Sequence, residues 1–125
     1  MSHERQKKTS RARLTLDKTV FAKIGGGQFT LFDLVDSSFS FSHEKKQDAM
    51  RVLEALRGRP QPFKRLHEDL GLAKSSLFYL LLALESAGFV EKEKGKNKDY
   101  RLSSEFSRNL SVLVEWWRGW LRSGN

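Results

Sequence analysis

The sequence predicts a mainly α domain with a small β-hairpin (α+β), extended before the domain and carrying a further helix after it. Three observations carry this prediction. Apolar stripes at helical spacing run through residues 43–87. Gly58, Gly71 and Gly88 each follow the end of such a stripe, where a helix stops most easily. Two alternating segments, 89–93 and 99–102, flank a glycine-containing basic loop, the pattern of a hairpin.

Residues 1–13 read as a basic arm, in which Arg5, Lys7, Lys8, Arg11 and Arg13 outweigh Glu4 and no apolar period appears. Leu14, Leu16, Val20, Phe21 and Ile24, with Thr15 and Thr19 between them, predict one or two short strands over 14–24. Gly25-Gly26-Gly27 reads as a turn, because no Gly-Lys-Ser/Thr follows and the GxGxxG spacing of a phosphate loop is absent. Thr30 with Asp33 forms a capping-box pattern ahead of a short helix at about 31–37. The serine-rich run 37–42 is a connection, and Ser42 is the expected N-cap of the next helix.

The first core helix is expected at about 43–57, with Ala49, Val52, Leu53 and Leu56 as its apolar stripe. Proline at 60 and 62 makes the following connector stiff. A second helix at about 62–70 faces inward with Phe63, Leu66 and Leu70, and only Gly71-Leu72-Ala73 separates it from a third at about 74–87. Two amphipathic helices joined by so short a glycine turn form a helix-turn-helix, holding the second helix at a steep angle. Leu77, Leu81 and Leu84 face the core, while Phe78, Tyr79, Leu80 and Leu82 are placed on the exposed side. The hairpin carries Lys94, Lys96 and Lys98 around Gly95.

In the order helix, helix-turn-helix, hairpin, residues 60–102 resemble the winged helix-turn-helix regulators of the ArsR/MarR/IclR-like superfamily. The matching residues are Leu66, Leu70-Gly71-Leu72, Lys74-Ser75-Ser76-Leu77, Leu81, Leu84-Glu85, Ala87-Gly88-Phe89-Val90 and Tyr100-Arg101-Leu102. The resemblance divides the chain into the arm 1–13, an extension of strand and short helix over 14–42, a winged helix-turn-helix domain over 43–103 and a last helix over 104–125. It implies that the start of the third helix enters the major groove of double-stranded DNA and the wing meets the backbone. By that placement Lys74, Ser75, Ser76 and Tyr79 face the groove, and Lys94, Lys96 and Lys98 meet phosphates. Lys64 and Arg65 support them, with Arg11 and Arg13 on the arm. The third helix departs from the pattern in being apolar where readers carry Arg, His or Gln, and in having Ala73 where a capping Ser or Thr is common. Phe78 and Leu82 therefore leave three readings open: contact with thymine methyl groups, contact with a protein partner, or burial under the N-terminal strands or helix.

Charge points the same way. With 23 Lys and Arg against 15 Asp and Glu the net charge is +8, which favours polyanionic partners. The absence of cysteine excludes disulfides, thiolate metal sites and cysteine nucleophiles, including the metal sensing of ArsR-type proteins. His3, His43 and His67 lie in separate elements without ligand spacing, so neither catalysis nor a cofactor is expected. No apolar run is long enough to span a bilayer and no signal-peptide pattern opens the sequence, so a cytoplasmic, nucleoid-associated protein is expected.

In the last helix Phe106, Leu110, Leu113, Trp117 and Trp120 are spaced 4, 3, 4 and 3, a short heptad seam that Leu121, Val114 and Trp116 widen. Packing on the first core helix is expected to cover part of it, and a homodimer interface the rest. The sequence thus carries two functional readings: a dimeric DNA-binding regulator or small chromatin protein, and a protein-interaction module within a transcription, replication or chromosome-associated assembly.

Overall fold

The computed structural model describes residues 15–96 and 98–124, so the basic arm lies outside it. Six helices and one hairpin follow in order: α1 Lys18–Gly25, α2 Leu31–Ser38, α3 His43–Gly58, α4 Phe63–Leu70, α5 Lys74–Ser86, β1 Val90–Lys92, β2 Tyr100–Leu102 and α6 Glu105–Ser123.

Helix starts are set by side chains that satisfy the free amides of the first turn. The Thr30 hydroxyl accepts from the Asp33 N–H while the Asp33 carboxylate accepts from the Thr30 N–H, a complete capping box. The Ser42 hydroxyl likewise accepts from the Lys45 N–H at 3.2 Å. Over 15–24 the structure departs from expectation, for residues 18–25 are helical rather than extended, and Leu14 lies outside the described residues. Asp17 accepts from the Val20 N–H at 2.9 Å and caps this helix. Its β-branched residues have no described strand beside them, and without a cross-strand partner their strand preference has little to act on. The glycine run ends α1 in a turn that closes with Gly27 at φ 73°, where a side chain would be strained.

The core lies between α2, α3, α4, α5 and the hairpin. Val35, Val52, Leu56, Leu66, Leu77, Leu81 and Leu84 are among its buried side chains. Helix α2 packs on α3, α3 on α4 and β2, and α5 on β1. Phe39 stacks on Phe41 and meets Phe89 edge-on at 6.0 Å, which seals the side nearest α2. The strands pair antiparallel with Val90 opposite Leu102 and Lys92 opposite Tyr100. Gln61 adds a one-residue third strand, exchanging two backbone hydrogen bonds with Tyr100 at 2.8 and 2.9 Å. The prolines on either side of it hold that stretch extended.

Leu80 corrects one expectation. It was assigned to the exposed side of α5 but is only 2% exposed, because the inner face spans Leu77, Leu80, Leu81, Ala83 and Leu84 and is wider than a three-leucine stripe. A second correction concerns α6. Its root is held by Phe106, whose ring meets Phe89 edge-on at 4.8 Å. Beyond Leu110 the apolar residues are exposed, and no packing against α3 covers them. Truncating a core leucine leaves a cavity that its neighbours cannot fill. Leu84→Ala is expected to lower unfolding free energy by about 2–5 kcal/mol, read from urea denaturation; a loss within measurement error would contradict its place in the core.

Candidate nucleic-acid interface

The geometry of α5 depends on the three-residue turn before it. Gly71 adopts the left-handed conformation at φ 69° and its N–H donates to the His67 carbonyl, ending α4. The His67 ring nitrogen Nδ1 lies 2.6 Å from the Leu72 carbonyl oxygen and spans the turn from inside. From α3, the Arg51 guanidinium donates to the Leu70 carbonyl at 2.6 Å, an acceptor that the end of α4 leaves free. Neither contact was read from the sequence, where His67 stood as a boundary residue and Arg51 carried no role. The first ties the turn back to α4, and the second ties the end of α4 to α3.

With its inner face buried, α5 presents Lys74, Ser75, Ser76, Phe78, Tyr79 and Leu82 outward. Lys74, Ser75 and Ser76 occupy the first turn, and Ala73 supplies no side-chain cap, so their backbone amides are not competed for by residue 73. Phe78, Tyr79 and Leu82 are 45%, 53% and 38% exposed, and the two rings meet edge-on at 5.4 Å. The foot of this face is not uniformly basic. Ser76 and Tyr79 border a recess of about 410 Å³ that Glu44, Lys45 and Asp48 also line.

The wing is braced at its base. The Glu91 carboxylate accepts from Arg101 at 2.6 Å and from the Ser103 hydroxyl at 2.6 Å, and the Lys92 ammonium lies 5.5 Å from the centre of the Tyr100 ring. The Glu93 N–H donates to the Asp99 carbonyl at 2.7 Å and closes the loop, and Gly95 turns it at φ 101°. Lys94, Lys96 and Lys98 are exposed at its tip. Lys64 and Arg65 are exposed on α4, while Arg11 and Arg13 lie outside the described residues. Of the seam residues, Phe106 and Leu110 are half-buried, and Leu113, Trp117, Trp120 and Leu121 are exposed.

A helix-turn-helix whose second helix offers an uncapped, lysine-bearing first turn, followed by a lysine-tipped hairpin, defines the winged helix-turn-helix class. Residues 49–94 match the IclR helix-turn-helix domain. The match supports a winged helix-turn-helix DNA-binding protein in the IclR/MarR-like group, a class that serves transcription regulation. No curated protein and no solved structure matches the chain significantly. Among the described residues, no helix is long and apolar enough to cross a membrane, and no group of three or more His, Cys, Asp or Glu side chains is placed to hold a metal.

Hydrogen bonding from Ser103, then from Arg101, holds the Glu91 carboxyl below its ordinary value of 4.5. A carboxyl lowered by folding stabilises the fold above about pH 4.5, and that stabilisation fades as pH falls through the lower, folded value. Glu91→Gln is expected to unfold at lower urea than the parent protein at neutral pH, with the difference shrinking below pH 4.5. A gap that stays constant from neutral to acid pH would contradict the charge-based bracing of the wing.

Proposed function

We propose that the protein is a dimeric transcription regulator that binds double-stranded DNA through α5 and the wing. The observation that carries this reading is the joint exposure of the first turn of α5, inside the segment that matches the IclR domain, and of the lysine-tipped wing that begins at the end of that segment. Lys74, Ser75, Ser76 and Tyr79 enter the major groove. Lys94, Lys96 and Lys98 neutralise phosphates at the wing, and Lys64 and Arg65 do so beside α4. Arg11 and Arg13 extend the contact along the backbone or into the minor groove. A two-fold dimer sets two such surfaces against half-sites about one helical turn apart, roughly 34 Å. The protein works on chromosomal DNA in the cytoplasm, and a small chromatin protein of the same architecture would use the same surfaces.

Base discrimination in this reading is modest. Phe78 and Leu82 place apolar groups where bidentate donors would read guanine or adenine, leaving contact with thymine methyl groups as their contribution. Their exposure also favours a second reading, a protein-interaction module that docks a partner on Phe78, Tyr79 and Leu82.

Salt separates the two, because phosphate contacts release counterions and protein docking on an apolar face does not. Affinity for random-sequence duplex DNA is expected to fall steeply with salt. Replacing Lys94, Lys96 and Lys98 together by alanine is expected to flatten the slope of log K against log salt by about 2 to 3, near 0.9 per lost phosphate contact. No duplex binding at low salt would remove the DNA reading and leave the protein-interaction one. An unchanged slope in the triple variant would remove the wing from the interface.

A further inference from the structure

Helix α6 leaves the domain with an unpartnered apolar face. Val112, Leu113, Val114, Trp116, Trp117, Trp120 and Leu121 are each 45% to 62% exposed. The three indole rings touch one another instead, with centroids 5.2 to 6.5 Å apart. At 150–250 Å² for a whole aromatic side chain, this face exposes on the order of 700 Å². That exceeds the roughly 300–600 Å² of the largest apolar patch on a typical monomer and approaches the roughly 800 Å² each partner buries in a standard interface.

An apolar cleft of about 420 Å³ opens at the foot of the same helix, lined by Leu34, Leu53, Phe89, Leu102, Ser103 and Phe106 among others. Its size is in the range that holds a small organic group, so one indole fits. Phe106 belongs both to the cleft wall and to the start of the apolar seam, which makes cleft and seam one continuous surface.

We infer that a second copy of this chain covers this surface, with the two α6 helices antiparallel and the partner's Trp120 seated in the cleft. The inference rests on the dimer reading above and gives it a register. Antiparallel knobs-into-holes packing sets an a position against a d position of the other helix. With the two-fold axis between residues 111 and 112, Leu110 meets the partner's Leu113 and Phe106 meets the partner's Trp117. The partner's Trp120 then falls level with Ser103, past the start of α6 and over the cleft that Ser103, Leu102 and Phe106 line. The contact is isologous, so each chain delivers one indole and receives one.

Charge leaves the choice of register to the cleft, because Arg108 pairs with Glu105 at 3.6 Å and Arg118 with Glu115 at 3.3 Å within the same helix. Arg57 and Glu54, paired at 3.6 Å, also line the cleft.

The absence of cysteine makes the register readable by disulfide trapping of the full chain. When Leu110→Cys and Leu113→Cys proteins are mixed and mildly oxidised, the mixed dimer is expected to dominate over either self-bridged dimer. In the double variant S103C/W120C one position precedes α6 and the other lies near its far end, roughly 25 Å away, so any bridge between them joins two copies. A covalent dimer is expected there, and single-tryptophan protein retaining Trp120 is expected to emit further to the blue as dimer than when diluted to monomer. Self-bridging of Leu110→Cys in preference to the mixed pair would overturn the antiparallel register while leaving the dimer intact. A monomer by sedimentation at micromolar concentration would overturn register and dimer together. So would a monomer whose tryptophan emission shifts only on adding anionic phospholipid vesicles, which assigns the face to lipid.

Discussion

The inner face of α5 is committed to the core without a gap, and most of the molecule follows from that. Leu77, Leu80, Leu81, Ala83 and Leu84 are all buried, leaving the helix no rotation about its axis that does not expose a leucine. The outward face is therefore as strictly determined as the inward one. Lys74, Ser75 and Ser76 point out at the first turn, and Phe78, Tyr79 and Leu82 beyond it, with no polar readers among these last three except one phenol. In the proposed DNA reading, the same commitment that orients the helix also limits what it can read.

Rotation alone does not place a helix; its crossing angle must be held too. Around Gly71 a set of short polar contacts ties the turn that leads into α5 to α4, and the end of α4 to α3. The left-handed glycine lets α4 stop within one residue, and His67 and Arg51 then occupy the carbonyls of Leu72 and Leu70. A comparable device anchors the wing. Gln61 pairs with Tyr100, so the second strand is tied to the connector between α3 and α4 as well as to β1. Glu91 secures its exposed side through Arg101 and Ser103. The lysine-tipped loop thus stands on a braced base, the arrangement a phosphate-contacting wing requires.

Helix α6 is the opposite case. Its seam has helical regularity, and the structure leaves it bare from Leu113 onward. An amphipathic helix obtains most of its stability from the surface that covers its apolar side, which makes a partner the natural complement of this one. The cleft at its foot gives that partner a place to end.

The helices of the core, their order, the glycine stops, the hairpin and its lysines were all legible in the sequence, because helical period, turn residues and alternation are local signals. So was the capping box at Thr30. The helix over 18–25 was not, since its β-branched residues outvoted a single capping aspartate in a reading that could not see the missing partner strand. The burial of Leu80 was hidden because the width of a buried stripe depends on how many elements surround the helix. The roles of Arg51, His67 and Gln61 join residues distant in sequence or reach through the turn, and only folding brings donors to those carbonyls. The sequence by itself therefore determined which helix faces outward and what charge it carries. Tertiary structure alone decided how that helix is held and which apolar face is left without cover, because both depend on surfaces that meet across the chain rather than along it.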